Sequence, residues 1–106
     1  MVKVALLARL EAKPGKEKEL ADFLESAFPL ALAEPDTISW YAIQLTPSTF
    51  GIFDTFPHEE GRKAHLEGKI AAALMANASK LLSQPPVIEH VNIIAAKQPI
   101  QAKQWH

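Results

Sequence analysis

The tightest constraint on the fold lies in residues 38–56. Two strand-like runs, ISWYAIQL (38–45) and TFGIFDTF (49–56), are separated by only TPS. Aromatic and β-branched residues alternate in both runs, and Pro47 suits the first corner of a short turn, so the pair predicts a β-hairpin. Ile38, Trp40 and Ala42 share one side of the first strand; Tyr41, Ile43 and Leu45 share the other. An antiparallel sheet with one wet face carries polar residues at alternate positions. Here both faces are apolar, so both need cover.

The rest of the chain supplies cover for one face. Residues 2–12 alternate as a strand, with Val2, Val4, Leu6, Ala8 and Leu10 on one side and Ala5, Leu7 and Arg9 on the other. Pro14-Gly15 ends it. From Lys16 the period changes, and Leu20, Phe23, Leu24, Ala27 and Ala31 form a helical stripe. Pro29 falls inside that stripe and must either kink the helix or start a separate turn. EPDT (34–37) closes the segment. After the hairpin, HEEGRKAHLEG (58–68) predicts a short polar helix, and the alanine-rich KIAAALMANASKLL (69–82) a longer one. VIEHVNIIAA (87–96) reads as a last strand. The order predicts an α+β, ferredoxin-like βαββαβ domain over residues 1–97, with a four-stranded antiparallel sheet and helices on one face. Residues 98–106 form a C-terminal tail, from which Ile100 and Trp105 could dock across a dimer. The uncovered face would leave an apolar patch of several hundred Å2, by the usual patch-size rule. A second copy packed on that face, giving a homodimer, is the economical cover.

The totals bound the function. The chain has 106 residues, 48% apolar and 22% charged, with 11 basic and 12 acidic residues. That balance suits one globular domain and offers no basic stripe for nucleic acid. No cysteine is present, which removes thiolate metal ligands and a thiol nucleophile. The N-terminal stretch is broken by Lys3 and Arg9, unlike a secretory leader, and no run is long enough to span a membrane. A cytoplasmic protein without membrane association is expected. The glycines, at 15, 51, 61 and 68, are scattered. Neither a phosphate loop nor a dinucleotide fingerprint is present, so no bound cofactor is expected.

The sequence resembles the antibiotic biosynthesis monooxygenase domain. The resemblance is carried by KPGKEKEL opening the first helix, by the third strand ending IFDTF, and by KAHLEGK after it, within a βαββαβ frame. It covers residues 2–96. It implies a dimeric α/β barrel in which two sheets pack face to face, with a small-molecule pocket between sheet and helices. It also implies, as the leading activity, cofactor-independent oxygenation of a small aromatic or quinone-type molecule. The family also holds haem-degrading, isomerase-like and aldolase-like relatives. Asp36 stands where glycine is common, and Phe56 near a frequent tryptophan. The first strand, VALLARL, lacks the asparagine of the haem-degrading branch.

Under this resemblance His65 is the leading acid/base residue, since imidazole changes charge near neutral pH. The plain alternative is a helix-surface histidine beside Glu67 and Lys69. His58, seven residues earlier, would lie roughly 10 Å away on a helix, so the two cannot share one metal ion, and no metal site is expected. Asp54 alternates with Ile52 and Phe56 and is a candidate pocket group. A carboxylate there needs a partner, and Arg9 is the first choice. His90 and Asn92, on one face of the last strand, either line the pocket or bond across the dimer seam. Trp40 and Tyr41 point to opposite faces, so at most one of them enters a given cavity; the Tyr41 hydroxyl could orient a substrate oxygen. Two other functions fit the same residues: a non-catalytic dimeric binding or stress-related domain, and a non-redox isomerase-like enzyme.

Overall fold

In the computed structural model, which describes residues 1–98, strands form where the period-two runs predict them. They are β1 (Val4–Glu11), β2 (Ser39–Gln44), β3 (Thr49–Phe56) and β4 (Val87–Asn92). Their order across the sheet is β2-β3-β1-β4, with every neighbouring pair antiparallel. Four helices complete the fold: α1 (Glu17–Ser26), α2 (Phe28–Leu32), α3 (Glu59–Leu66) and α4 (Lys69–Leu81). This is the expected α+β, ferredoxin-like arrangement, with each helical region broken in two. Pro29 explains the first break. It lies in the first turn of α2, where its missing N–H leaves no bond unmade. Gly68 separates α3 from α4, in extended backbone. β4 is shorter than its apolar run. Its pairing with β1 ends at Val4↔Asn92, so the residues beyond have no strand to meet. The predicted docking of Ile100 and Trp105 lies outside the described residues.

The register sorts every strand residue to a face. Leu6, Ala8 and Leu10 of β1 align with Asp54, Ile52 and Phe50 of β3, and these with Trp40, Ala42 and Gln44 of β2. This is the face the helices cover. Leu20 and Leu24 of α1 and Leu74 and Leu81 of α4 close over Ala8, Leu10, Phe50 and Ile52 in the main core. A smaller cluster, Ala27, Ala31 and Ile70, lies beneath α2, and Trp40 packs against both. The helices leave β4 largely uncovered.

The opposite face carries Leu7, Tyr41, Ile43, Phe53, Val87 and Val91. No helix covers it. Tyr41 is 56% exposed, and Leu45 and Val87 are also open to solvent. Arg9 lies on this same face and pairs with Glu89 at 3.3 Å. The expected Arg9–Asp54 pair therefore does not form. Arg9 is at an odd position of β1 and meets Gly51, while Asp54 meets Leu6 on the covered face. Strand alternation places the two on opposite sides of the sheet.

Leu10 is wholly buried at the centre of the main core. Replacing it with alanine removes contacts that the rigid sheet cannot restore. The expected cost is about 2–5 kcal/mol in urea unfolding, with an unchanged denaturant slope.

Candidate functional site

His65 reaches its position because α3 is held tightly at both ends. His58 caps the helix: its Nδ1 accepts the Gly61 N–H at 3.3 Å, and Glu59 and Glu60 occupy the first turn. Further along, the buried Arg62 guanidinium donates to the carbonyls of Ala5 and Val91, both at 3.2 Å, and pairs with Glu59. α3 is thereby pinned to β1 and β4. On its other side, Gly61 lets the helix approach the loop before β2. A Cβ on Gly61 would stand 2.9 Å from the Asp36 Cβ. That contact brings residues 34–36 against α3.

The result is a linear array of three charged side chains. His65 Nε2 lies 2.9 Å from Asp54 Oδ2, and His65 Nδ1 lies 2.6 Å from Glu34 Oε1. Asp54 is 1% exposed and His65 7%. The Phe56 ring flanks the imidazole, with centroids 5.4 Å apart. Thr37 donates its hydroxyl to the same Glu34 oxygen at 2.6 Å, fixing that carboxylate. Burial pushes the His65 pKa down, but the hydrogen bond and charge of Asp54, joined by those of Glu34, outweigh it. The net effect raises the pKa to about 8. At neutral pH the ring is therefore an imidazolium that donates to both carboxylates. The surface-histidine alternative does not describe this residue. Asp54 Oδ1 is buried and has no hydrogen-bond partner among the described residues. One free acceptor thus faces away from the array.

Two spaces adjoin His65. Between sheet and helices, a cavity of about 40 Å3 touches Asp54 and His65 and is otherwise lined by apolar side chains such as Leu6, Ile70 and Ile88. On the outer side, a cleft of about 360 Å3 is bordered by Glu34, Asp36, His65 and Lys69. A third space, an open groove of about 480 Å3, runs between α1 and β2 and is lined by Leu24, Phe28, Trp40, Tyr41 and Phe50. Trp40 joins this groove to the array, because it sits directly opposite Asp54 in the β2–β3 pairing. Its Nε1 is buried and also lacks a partner among the described residues.

Of the candidate residues, His65 and Asp54 come together. Tyr41 borders the same groove as Trp40, so the expectation that at most one of the two enters a given cavity does not hold: the groove opens at the edge strand β2, where side chains from both faces reach its rim. His90 and Asn92 lie on the helix-side face of β4, aligned with Leu6 and Val4, but remain exposed, with no helix among the described residues over them. Trp40, rather than Tyr41, packs under the helices. Glu34 was not legible as a site residue. It is 31 residues from His65, in a segment whose only local signal is that of a helix stop. Among the described residues, no three His, Asp or Glu side chains are placed to hold a metal ion. The two carboxylates here lie at opposite ends of one ring and cannot converge on a single ion.

The array makes stability depend on pH. The folded pKa of His65, about 8, exceeds the ordinary value of 6.5. Its contribution is complete below pH 6.5 and is lost as pH rises through 8. Urea unfolding at pH 6, 7.5 and 9 is expected to show a loss on the order of 2 kcal/mol across this window. His65→Gln is expected to flatten it.

No family model and no curated protein matches the chain. Solved structures do. A protein of unknown function from Nitrosomonas europaea, NE2512, is 62% identical, with a TM-score of 0.93, over 95% of this chain and 98% of that one. Rv0793 from Mycobacterium tuberculosis superposes at 16% identity and a TM-score of 0.80, over 91% and 99% of the two chains. A protein from Caulobacter crescentus, described as a candidate antibiotic biosynthesis monooxygenase, does so at 16% identity and 0.76, over 89% and 92%. Among the described residues, no helix is long and apolar enough to cross a membrane. The chain belongs to the family of the Nitrosomonas europaea protein NE2512, and its fold is that of the antibiotic biosynthesis monooxygenases.

Proposed function

We propose that the protein is a homodimeric, cofactor-independent oxygenase for a small aromatic or quinol-type molecule, with His65 and Asp54 as its acid/base unit. The single observation that carries this reading is the free Oδ1 of Asp54. It is a buried carboxylate oxygen, backed by a charged imidazolium and one side chain away from an aromatic-lined groove. Burying such an atom without a donor costs free energy, and proteins retain that cost where the atom serves a ligand or a reaction.

The chemistry follows from the groups available. Once the Trp40 side chain turns aside, an acidic C–H or phenolic O–H of a substrate in the groove gives its proton to Asp54 Oδ1. The resulting carbanion passes one electron to dioxygen, and the radical pair combines to a carbon-bound peroxide. Loss of a second hydrogen from that carbon breaks the O–O bond. The carbon becomes a carbonyl, and the outer oxygen leaves as water, with one proton from Asp54 and the other from that carbon. The substrate supplies all the electrons. Phe28, Phe50 and Trp40 would stack the ring, and the unpartnered Trp40 Nε1–H and the Tyr41 hydroxyl would hold its oxygens. His90 and Asn92 would join the site only where a second chain or a bound molecule covers β4.

The open sheet face supports the dimer. Leu7 and Phe53 lie opposite each other at its centre, ringed by Tyr41, Ile43 and Val91. A second copy of the same face would remove this patch from water. Light scattering is expected to give a dimer at micromolar concentration, and Phe53→Glu a monomer.

One observation favours a second reading. Trp40 stands between the groove and Asp54, so the groove could hold a ligand without turnover. Oxygen uptake with a panel of quinols and anthrone-type ketones separates the two. The expected result is uptake by the parent protein, reduced by about 10²–10⁴-fold in Asp54→Asn. Quenching of tryptophan fluorescence by quinones with no oxygen uptake would establish binding alone.

A further inference from the structure

Glu34 takes no part in the reading above, yet it completes the array and lies on the opposite side of His65 from Asp54. Exposure rises along the line: Asp54 is sealed, His65 nearly so, and the Glu34 side chain is 20% exposed where it borders the 360 Å3 cleft. The groove and the small inner cavity lie toward Asp54; the cleft lies toward Glu34. We infer that Glu34 is a proton port, a positioning residue through which His65 exchanges protons with the outer cleft whenever Asp54 changes charge. The inference rests on the acid/base reading of His65 and Asp54.

The argument is electrostatic. At rest the three side chains carry Glu34 negative, His65 positive and Asp54 negative, a net charge of −1. His65 holds its proton mainly because Asp54 is ionised beside it. When Asp54 Oδ1 accepts a proton from outside the array, that support disappears, and burial then favours the neutral ring. The proton on Nδ1 already points at Glu34 Oε1 and leaves along that bond to the cleft. The array becomes Asp54 neutral, His65 neutral and Glu34 negative, again −1. No proton travels through the ring. One enters at Asp54 and another departs at Glu34, so no uncompensated charge is created in the interior. When Asp54 later gives up its proton, the cleft returns one to His65.

The other charged groups near His65 are accounted for. Thr37 holds the accepting Glu34 oxygen. Asp36 and Lys69 border the same cleft. On α3, Arg62 is committed to Glu59 and to the carbonyls of β1 and β4. His58 caps the helix start, and His90, on β4, is exposed. Among the described residues, Glu34 is therefore the one carboxylate that both touches the ring and meets solvent.

The test needs no substrate. Nitrogen-15 spectra of the His65 ring report its charge and the exchange of its N–H protons with water. Asp54→Asn mimics protonated Asp54, and His65 is expected to be neutral at pH 7, with its proton affinity reduced by more than about tenfold, or one pKa unit. In Glu34→Gln, a folded protein by thermal melt, Nδ1–H exchange is expected to slow several-fold, because the group that collects the proton is gone. A purely structural role predicts the opposite, since loosening the loop would speed exchange. Equal or faster exchange in Glu34→Gln overturns the proposal, as does a His65 that stays charged in Asp54→Asn. Should parent exchange be too fast to observe, a signal emerging in Glu34→Gln supports the port, and its continued absence counts against it. Failure to consume oxygen with any quinol would remove the proposed reaction and leave these outcomes readable.

Discussion

A positive charge buried between two negative ones holds this molecule together at the point where its parts meet. His65 belongs to α3, Asp54 to β3 and Glu34 to the connection between α2 and β2. Each group alone would be costly to bury. Together they satisfy both ring nitrogens and one oxygen of each carboxylate. Removing His65 leaves two carboxylates without their cation, and removing either carboxylate leaves a ring nitrogen without its partner, so the three segments are fixed relative to one another by chemistry as well as by packing. The hydrophobic core lies to one side, beneath α1 and α4, and would tolerate small adjustments of α3. The array would not.

The sheet expresses a second constraint. Its helix-side face is filled by leucine, phenylalanine and isoleucine from β1, β3, α1 and α4, and its far face carries almost as many apolar residues with no helix among the described residues over them. Only the Arg9–Glu89 pair and the strand ends are polar there. An exposed ion pair of this kind contributes little to stability. The groove at β2 and the uncovered β4 lie at opposite edges of the same sheet.

Much of this was legible in the sequence. Period-two alternation located β2 and β3 to within a residue, because two residues per repeat leave no other register for the apolar side chains. Pro29 marked the break between α1 and α2. The resemblance pointed to His65. What could not be read was which partner each buried charge would choose. On sequence alone Arg9 suits Asp54, because both interrupt apolar strands. The register of β1 against β3 sends them to opposite faces, and that register is a property of the pair rather than of either strand. Glu34 was invisible for a related reason: its neighbours in sequence describe a helix end, and its role arises 31 residues away.

The sequence by itself determined the elements, their order and the apolar character of both sheet faces, since each depends on the spacing of side chains along one strand or helix. Tertiary structure alone decided the site. A carboxylate, an imidazole and a second carboxylate became an ordered array only when α3 closed on the loop before β2, with Gly61 leaving no side chain in the way. Periodicity is local and survives reading one segment at a time. The state of a buried charge is set by whatever lies within a few ångströms of it, and that is known only when the segments have met.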